Sequence, residues 1–216
     1  MATHPNERRM RAIVTNEGVE YVHNDLATAC FFFRQRLAVA VSQEAGGEPA
    51  YTYVMALVTM LAFTLEGYVT FIGDRLIKSG PDEAISKLAW NTFERLPVKK
   101  KIKEIARIKG ATIDWNVEPY TMVDQLVGLR DSLAHPKAYS PKQPRYEAEG
   151  TERELRQMLR DYEPEHARQL TPQFANKAAD AVSNIWDHLL GIAGISLHET
   201  WGVRSQGLEF LHHIDE

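Results

Sequence analysis

A chain of 216 residues with 44% apolar and 25% charged side chains has the make-up of a folded globular protein, which excludes wholesale disorder. Its formal charge of −4 leaves no whole-molecule electrostatic footprint for nucleic acid, so any RNA binding requires a local basic patch. Cys30 is the single cysteine, which excludes an intrachain disulfide or a cysteine-based metal cluster and fits a reducing compartment.

The first eighteen positions hold no long apolar run and do not read as a secretory signal, so the chain is expected in the cytoplasm. The length suits one domain over residues 1–216, with a core over about 19–198. The apolar period is helical nearly throughout, and β-like alternation bounded by hairpin turns is hard to find. The expected fold is therefore all-α: two long antiparallel helices, several shorter ones and a long C-terminal helix.

The first long helix is predicted over about 19–45, where Leu26, Cys30, Phe33, Leu37 and Val41 keep helical spacing and Gly46-Gly47 ends it. Cys30 stands among Phe31, Phe32 and Phe33 and reads as buried packing. The second helix covers about 50–78 and must run antiparallel to the first, because the joining loop is too short for a crossover. Within it, residues 54–73 carry Glu66 as their only charge and have the length of a bilayer span. A central carboxylate and three threonines make a buried bundle helix the better reading, with no membrane partner expected.

Shorter helices fit residues 82–95 and 98–109, the latter introduced by Pro97 and closed by Gly110. The next, over about 119–135, presents Met122, Val123, Leu126, Val127 and Leu133 on one side and is stopped by Pro136. Residues 136–150, with Pro136, Pro141, Pro144 and Gly150, read as a surface loop within the domain. Thr151-Glu-Arg-Glu is a capping-box start for a helix to about 162, and Thr171-Pro172 opens a last helix through about 198. Beyond Trp201, Leu208, Phe210 and Leu211 are placed back against the bundle.

The run LVGLRDSLAHPK, residues 126–137, resembles the signature of the HEPN superfamily, in which an arginine and a polar residue precede a histidine near a helix end. Arg130, Asp131 and His135 match it residue by residue, and the central Glu66 and the lysine-rich segment after Pro97 are similar to the family as well. The likeness covers roughly residues 19–135. Arg160 and His166 satisfy a looser form of the spacing, but Pro164 breaks the helix between them.

Arg130 projects beside the buried stripe, where a guanidinium needs a partner: Glu66, a phosphate, or a carboxylate of a second subunit. His135 lies at the helix end, where the negative end of the dipole favours its protonated form. The resemblance implies a metal-independent endoribonuclease of toxin or defence type, without cofactor. In it His135 activates a ribose 2′-hydroxyl, Arg130 neutralises the phosphate, Asp131 orients His135, and a 2′,3′-cyclic phosphate results.

It also implies a homodimer with two motifs face to face, and an antitoxin or other partner protein is compatible with it. Lys99, Lys100, Lys101, Lys103 and Lys137, with Arg107 and Lys109, would guide RNA phosphates, or else form a solvated helix face. Two other readings stay open. Arg130 and Glu66 would form a structural salt bridge with His135 as a mere cap, in a non-catalytic domain binding a nucleotide, nucleic acid or protein. Alternatively, Glu66 and Asp74 would hold a divalent metal in a helical phosphohydrolase.

The C-terminal His188, His198, His212 and His213 have no recognised metal-ligand spacing. Gly191 and Gly194 permit close helix contact, and Trp90, Trp115, Trp186 and Trp201 read as core or rim residues rather than base-stacking platforms.

Overall fold

The computed structural model describes residues 10–18, 21–43, 48–78, 83–135, 147–152, 154–155, 158, 165–201 and 204–213. Helices bounded within the described residues are α1 (Val22–Ser42), α2 (Glu48–Lys78), α3 (Glu83–Glu94), α4 (Val98–Ile108), α5 (Thr121–Ala134), α6 (Glu165–Gln169) and α7 (Pro172–Ala193), followed by a 3-10 turn at Leu197–Thr200. They form the expected all-α bundle, with α2 at its centre touching α1, α3, α4, α5 and α7.

The antiparallel pairing of α1 with α2 is visible residue by residue. His23 lies beside Tyr68 and Phe71, whereas Cys30 one stretch later reaches Thr64, its Sγ 3.3 Å from the hydroxyl. Val54, Leu57, Val58, Leu61, Leu65, Val69 and Ile72 of α2 are all core residues. This is the one helix, among the described residues, long and apolar enough to cross a membrane, and half of its most apolar stretch is buried inside the bundle.

Local signals explain several boundaries. Thr171 accepts a hydrogen bond from the Phe174 N–H at 3.1 Å and Pro172 occupies the first turn, as the Thr-Pro pair predicts. The same helix ends earlier than expected, because Gly194 takes the left-handed conformation (φ 72°) and its N–H bonds back to Leu190. Ser196 and Glu199 then cap each other at the 3-10 turn. Gly194 is thus a helix stop rather than a contact residue. Thr151 and Glu154 form the predicted capping box, although much of the helix expected after it lies outside the described residues.

Two departures are larger. Strands β1 (Met10–Gly18) and β2 (Arg204–His213) pair antiparallel, joining the two ends of the chain in a two-stranded ribbon with an irregularity between Arg11 and Ala12. Residues 208–211, expected as a tail, belong to this strand pairing. Second, Val41, expected on the buried stripe of α1, is exposed, as are Phe31 and Phe32 next to the buried Cys30 in sequence. The inward face of α1 is His23, Cys30, Leu37 and Ala40, so the apolar run is wider than the face it buries.

His23, 4% exposed, sits in a ring of aromatic side chains from Tyr21, Tyr68, Phe71 and Trp186, with its Nε2 lacking a hydrogen-bond partner among the described residues. Burial holds its pKa below the usual histidine value, opposed by the Thr200 backbone. The unfolded chain therefore binds more protons than the folded one between that lowered value and about 6.5. Stability is expected to be full above about pH 6.5 and to fall as pH drops toward the lowered value. Urea unfolding at pH 7.5 and 5 should show this loss, and His23→Leu should flatten the difference.

Candidate functional site

Three helices bring the site together. Glu66 comes from the middle of α2, Lys101 from α4 and Arg130 from the last turns of α5. α5 reaches this position because Met122, Val123, Leu126 and Leu129 are buried, turning Asp124, Gly128, Asp131 and His135 to solvent along the opposite side.

The Arg130 guanidinium is held on two sides. Its Nη1 donates to Glu66 Oε2 at 3.1 Å, while Nε and Nη2 donate to Asp131 Oδ1 at 3.0 and 2.8 Å. With its side chain 23% exposed, Arg130 is neither interior nor free, which is how a guanidinium beside an apolar stripe is accommodated. Of the partners foreseen for it, Glu66 is the one it meets.

His135 is the residue after α5, its N–H bonded to the Asp131 carbonyl at 3.0 Å. Its side chain is exposed and has no hydrogen-bond partner among the described residues. Asp131 was expected to orient this imidazole; in the structure its carboxylate instead grips Arg130, where two N–H donors compete for it at short range.

The lysine segment does not form one solvated patch. Lys101 is 2% exposed, its Nζ donating to Thr70 Oγ1 at 3.1 Å and lying 3.7 Å from Glu66 Oε1 and 6.0 Å from the Phe93 ring. It is therefore not a surface contact for RNA. The sequence does carry the signal: Lys101 stands three residues after Val98 and four before Ile105, inside the stripe that α4 buries. Lys99 pairs with Asp124 and stands over Trp115 at 4.9 Å, joined there by Lys103 at 5.4 Å.

Arg107 closes on Glu104, whose carboxyl it holds below the usual range by hydrogen bonding. Lys100 and Lys109 are exposed, and Lys137 lies outside the described residues, as do Arg160 and Pro164.

The other candidates separate in space. Asp74 pairs with Lys78, and Glu66 is occupied by Arg130 and Lys101, so the two carboxylates imagined around a metal each answer to cations of their own. No group of three or more His, Cys, Asp or Glu comes together among the described residues. His188 Nδ1 meets the Tyr120 hydroxyl at 2.7 Å, and burial pushes that phenol up to about 12. Trp186 is core, Trp90 and Trp115 are half-buried and Trp201 is exposed. No family model matches this sequence, and no curated protein or solved structure matches it either.

Proposed function

We propose that the protein is a metal-independent endoribonuclease of HEPN type, with Arg130 and His135 as its catalytic residues. The observation that carries this reading is the pairing of opposites on one helix end: an arginine anchored by Glu66, and five residues on an exposed histidine with no competing partner among the described residues. A general base must be accessible to its substrate, whereas the cation that stabilises phosphate charge gains from being fixed beforehand.

In this mechanism His135 removes the 2′-hydroxyl proton and the 2′-oxygen attacks the neighbouring phosphorus. The bond to the 5′-oxygen breaks, that oxygen takes a proton from solvent, and a 2′,3′-cyclic phosphate remains. Arg130 meets the growing oxygen charge through N–H groups that now face Asp131, whose exposed side chain a phosphate would have to displace. Two copies with their α5 ends facing would form the working cleft, in the cytoplasm, as a toxin or defence effector under the control of an antitoxin or other protein. In this reading Lys100 and Lys103, both exposed, meet the RNA backbone.

The test is cleavage of single-stranded RNA with chelator present. Chelator should leave the rate unchanged, while 2′-deoxy substitution at the cleaved nucleotide should abolish it; the reverse pattern contradicts the proposal. A second reading, an interaction domain without catalysis, is favoured by one observation: Arg130 already satisfies two carboxylates, as a structural ion pair would. Folded protein that binds RNA or a partner and never cleaves would establish it.

A further inference from the structure

Lys101 is a buried ammonium placed beside the carboxylate that anchors the catalytic arginine. A lysine 2% exposed is rarely left without a paired charge, and the described residues give it Glu66 and the Thr70 hydroxyl. Glu66 is thereby shared: Oε2 takes Arg130 and Oε1 faces Lys101. The four groups in contact are two cations, Lys101 and Arg130, and two carboxylates, Glu66 and Asp131.

We propose that Lys101 is a positioning residue that neutralises Glu66 from the protein interior, so that Arg130 keeps its charge available for an RNA phosphodiester. The inference rests on the ribonuclease reading for its substrate class and adds the residue that makes the arginine usable. Without Lys101, Arg130 would stand against two carboxylates alone, and the cluster would carry a net negative charge that repels phosphate. Because Glu66 is partly buried, water screens this repulsion less than it would at an open surface. Lys101 touches neither substrate nor reacting atoms; it acts through Glu66.

Charge counting ranks the variants. Lys101→Met leaves the cluster one negative charge in excess, Lys101→Met with Glu66→Gln returns it to neutrality, and Glu66→Gln alone leaves one positive charge in excess. The probe is a single-stranded 2′-O-methyl RNA oligonucleotide, which binds but offers no attacking hydroxyl, titrated at fixed salt by fluorescence anisotropy. Lys101→Met should bind roughly 3- to 10-fold more weakly than wild type. The double variant should recover wild-type affinity, and Glu66→Gln should bind several-fold more tightly, on the order of one added phosphate contact.

A merely structural Lys101 predicts instead that affinity is the same in every folded variant, or that the double variant is no better than Lys101→Met; either result overturns the proposal. Should Lys101→Met fail to fold, Glu66→Gln decides: affinity at or below wild type refutes it. Failure of the ribonuclease reading looks different, since the affinity order would hold while unmodified RNA stays intact.

Discussion

His135→Ala is expected to lower RNA cleavage by a factor of about 10² to 10⁴ while leaving the unfolding midpoint where it is, because a general base contributes about that much. The stability half of the expectation comes from the structure: the side chain is exposed and has no hydrogen-bond partner among the described residues. Arg130→Ala should lose cleavage to a similar degree but should also lower stability, since it frees Glu66 and Asp131 from their shared cation. Arg130→Lys should rescue stability more than activity, because an ammonium keeps a positive charge beside the carboxylates but cannot offer a phosphate the same fork. Rates under single-turnover conditions beside thermal unfolding of the same samples separate these effects. A His135→Ala protein that is destabilised yet cleaves normally would remove the residue from the chemistry.

Gly73→Ala is expected to destabilise the bundle by about 3 kcal/mol or more, the upper end of what overpacking costs. Alanine in place of glycine within a helix usually stabilises by about 0.5–1 kcal/mol, so the sign itself is the prediction. The reason is Phe93: a Cβ at position 73 would lie 2.1 Å from its Cε1 and 2.2 Å from its Cζ. With Phe93 only 2% exposed, the ring has nowhere to retreat. Gly128→Ala supplies the control, since nothing lies within 4 Å of the added methyl, and it should stabilise. Urea unfolding of the two variants should move in opposite directions; equal shifts would mean that α3 can slide away from α2.

Much of the bundle was legible because each helix announces itself locally. The stripe Met122, Val123, Leu126 with Pro136 behind it defined α5, and the Thr171-Pro172 pair defined the start of α7. The meeting of Arg130 with Glu66 was legible for the same reason: an arginine beside a buried stripe needs a carboxylate, and α2 offers one at its centre. What failed to show was non-local or misread in weight. The β1–β2 ribbon joins the two ends of the chain without a turn between the strands, so no neighbouring signal marks it. The contact of Gly73 with Phe93 likewise leaves no trace in either segment alone.

Lys101 is the instructive case. Among Lys99, Lys100 and Lys103 it looked like part of a charged face, and composition outweighed its position between Val98 and Ile105. Val41 erred in the other direction: it keeps the helical spacing of Cys30 and Leu37 yet is exposed, since α1 packs on α2 and only lightly on α7.

The most direct test of the central claim is the chemistry of the product ends. Wild-type protein and His135→Ala are incubated with single-stranded RNA and chelator, and the 3′ ends are read by mass spectrometry. A 2′,3′-cyclic phosphate formed by the wild type and absent with His135→Ala is the predicted result. Free 3′-hydroxyl ends, cleavage that chelator abolishes, or equal cleavage by both proteins would contradict it.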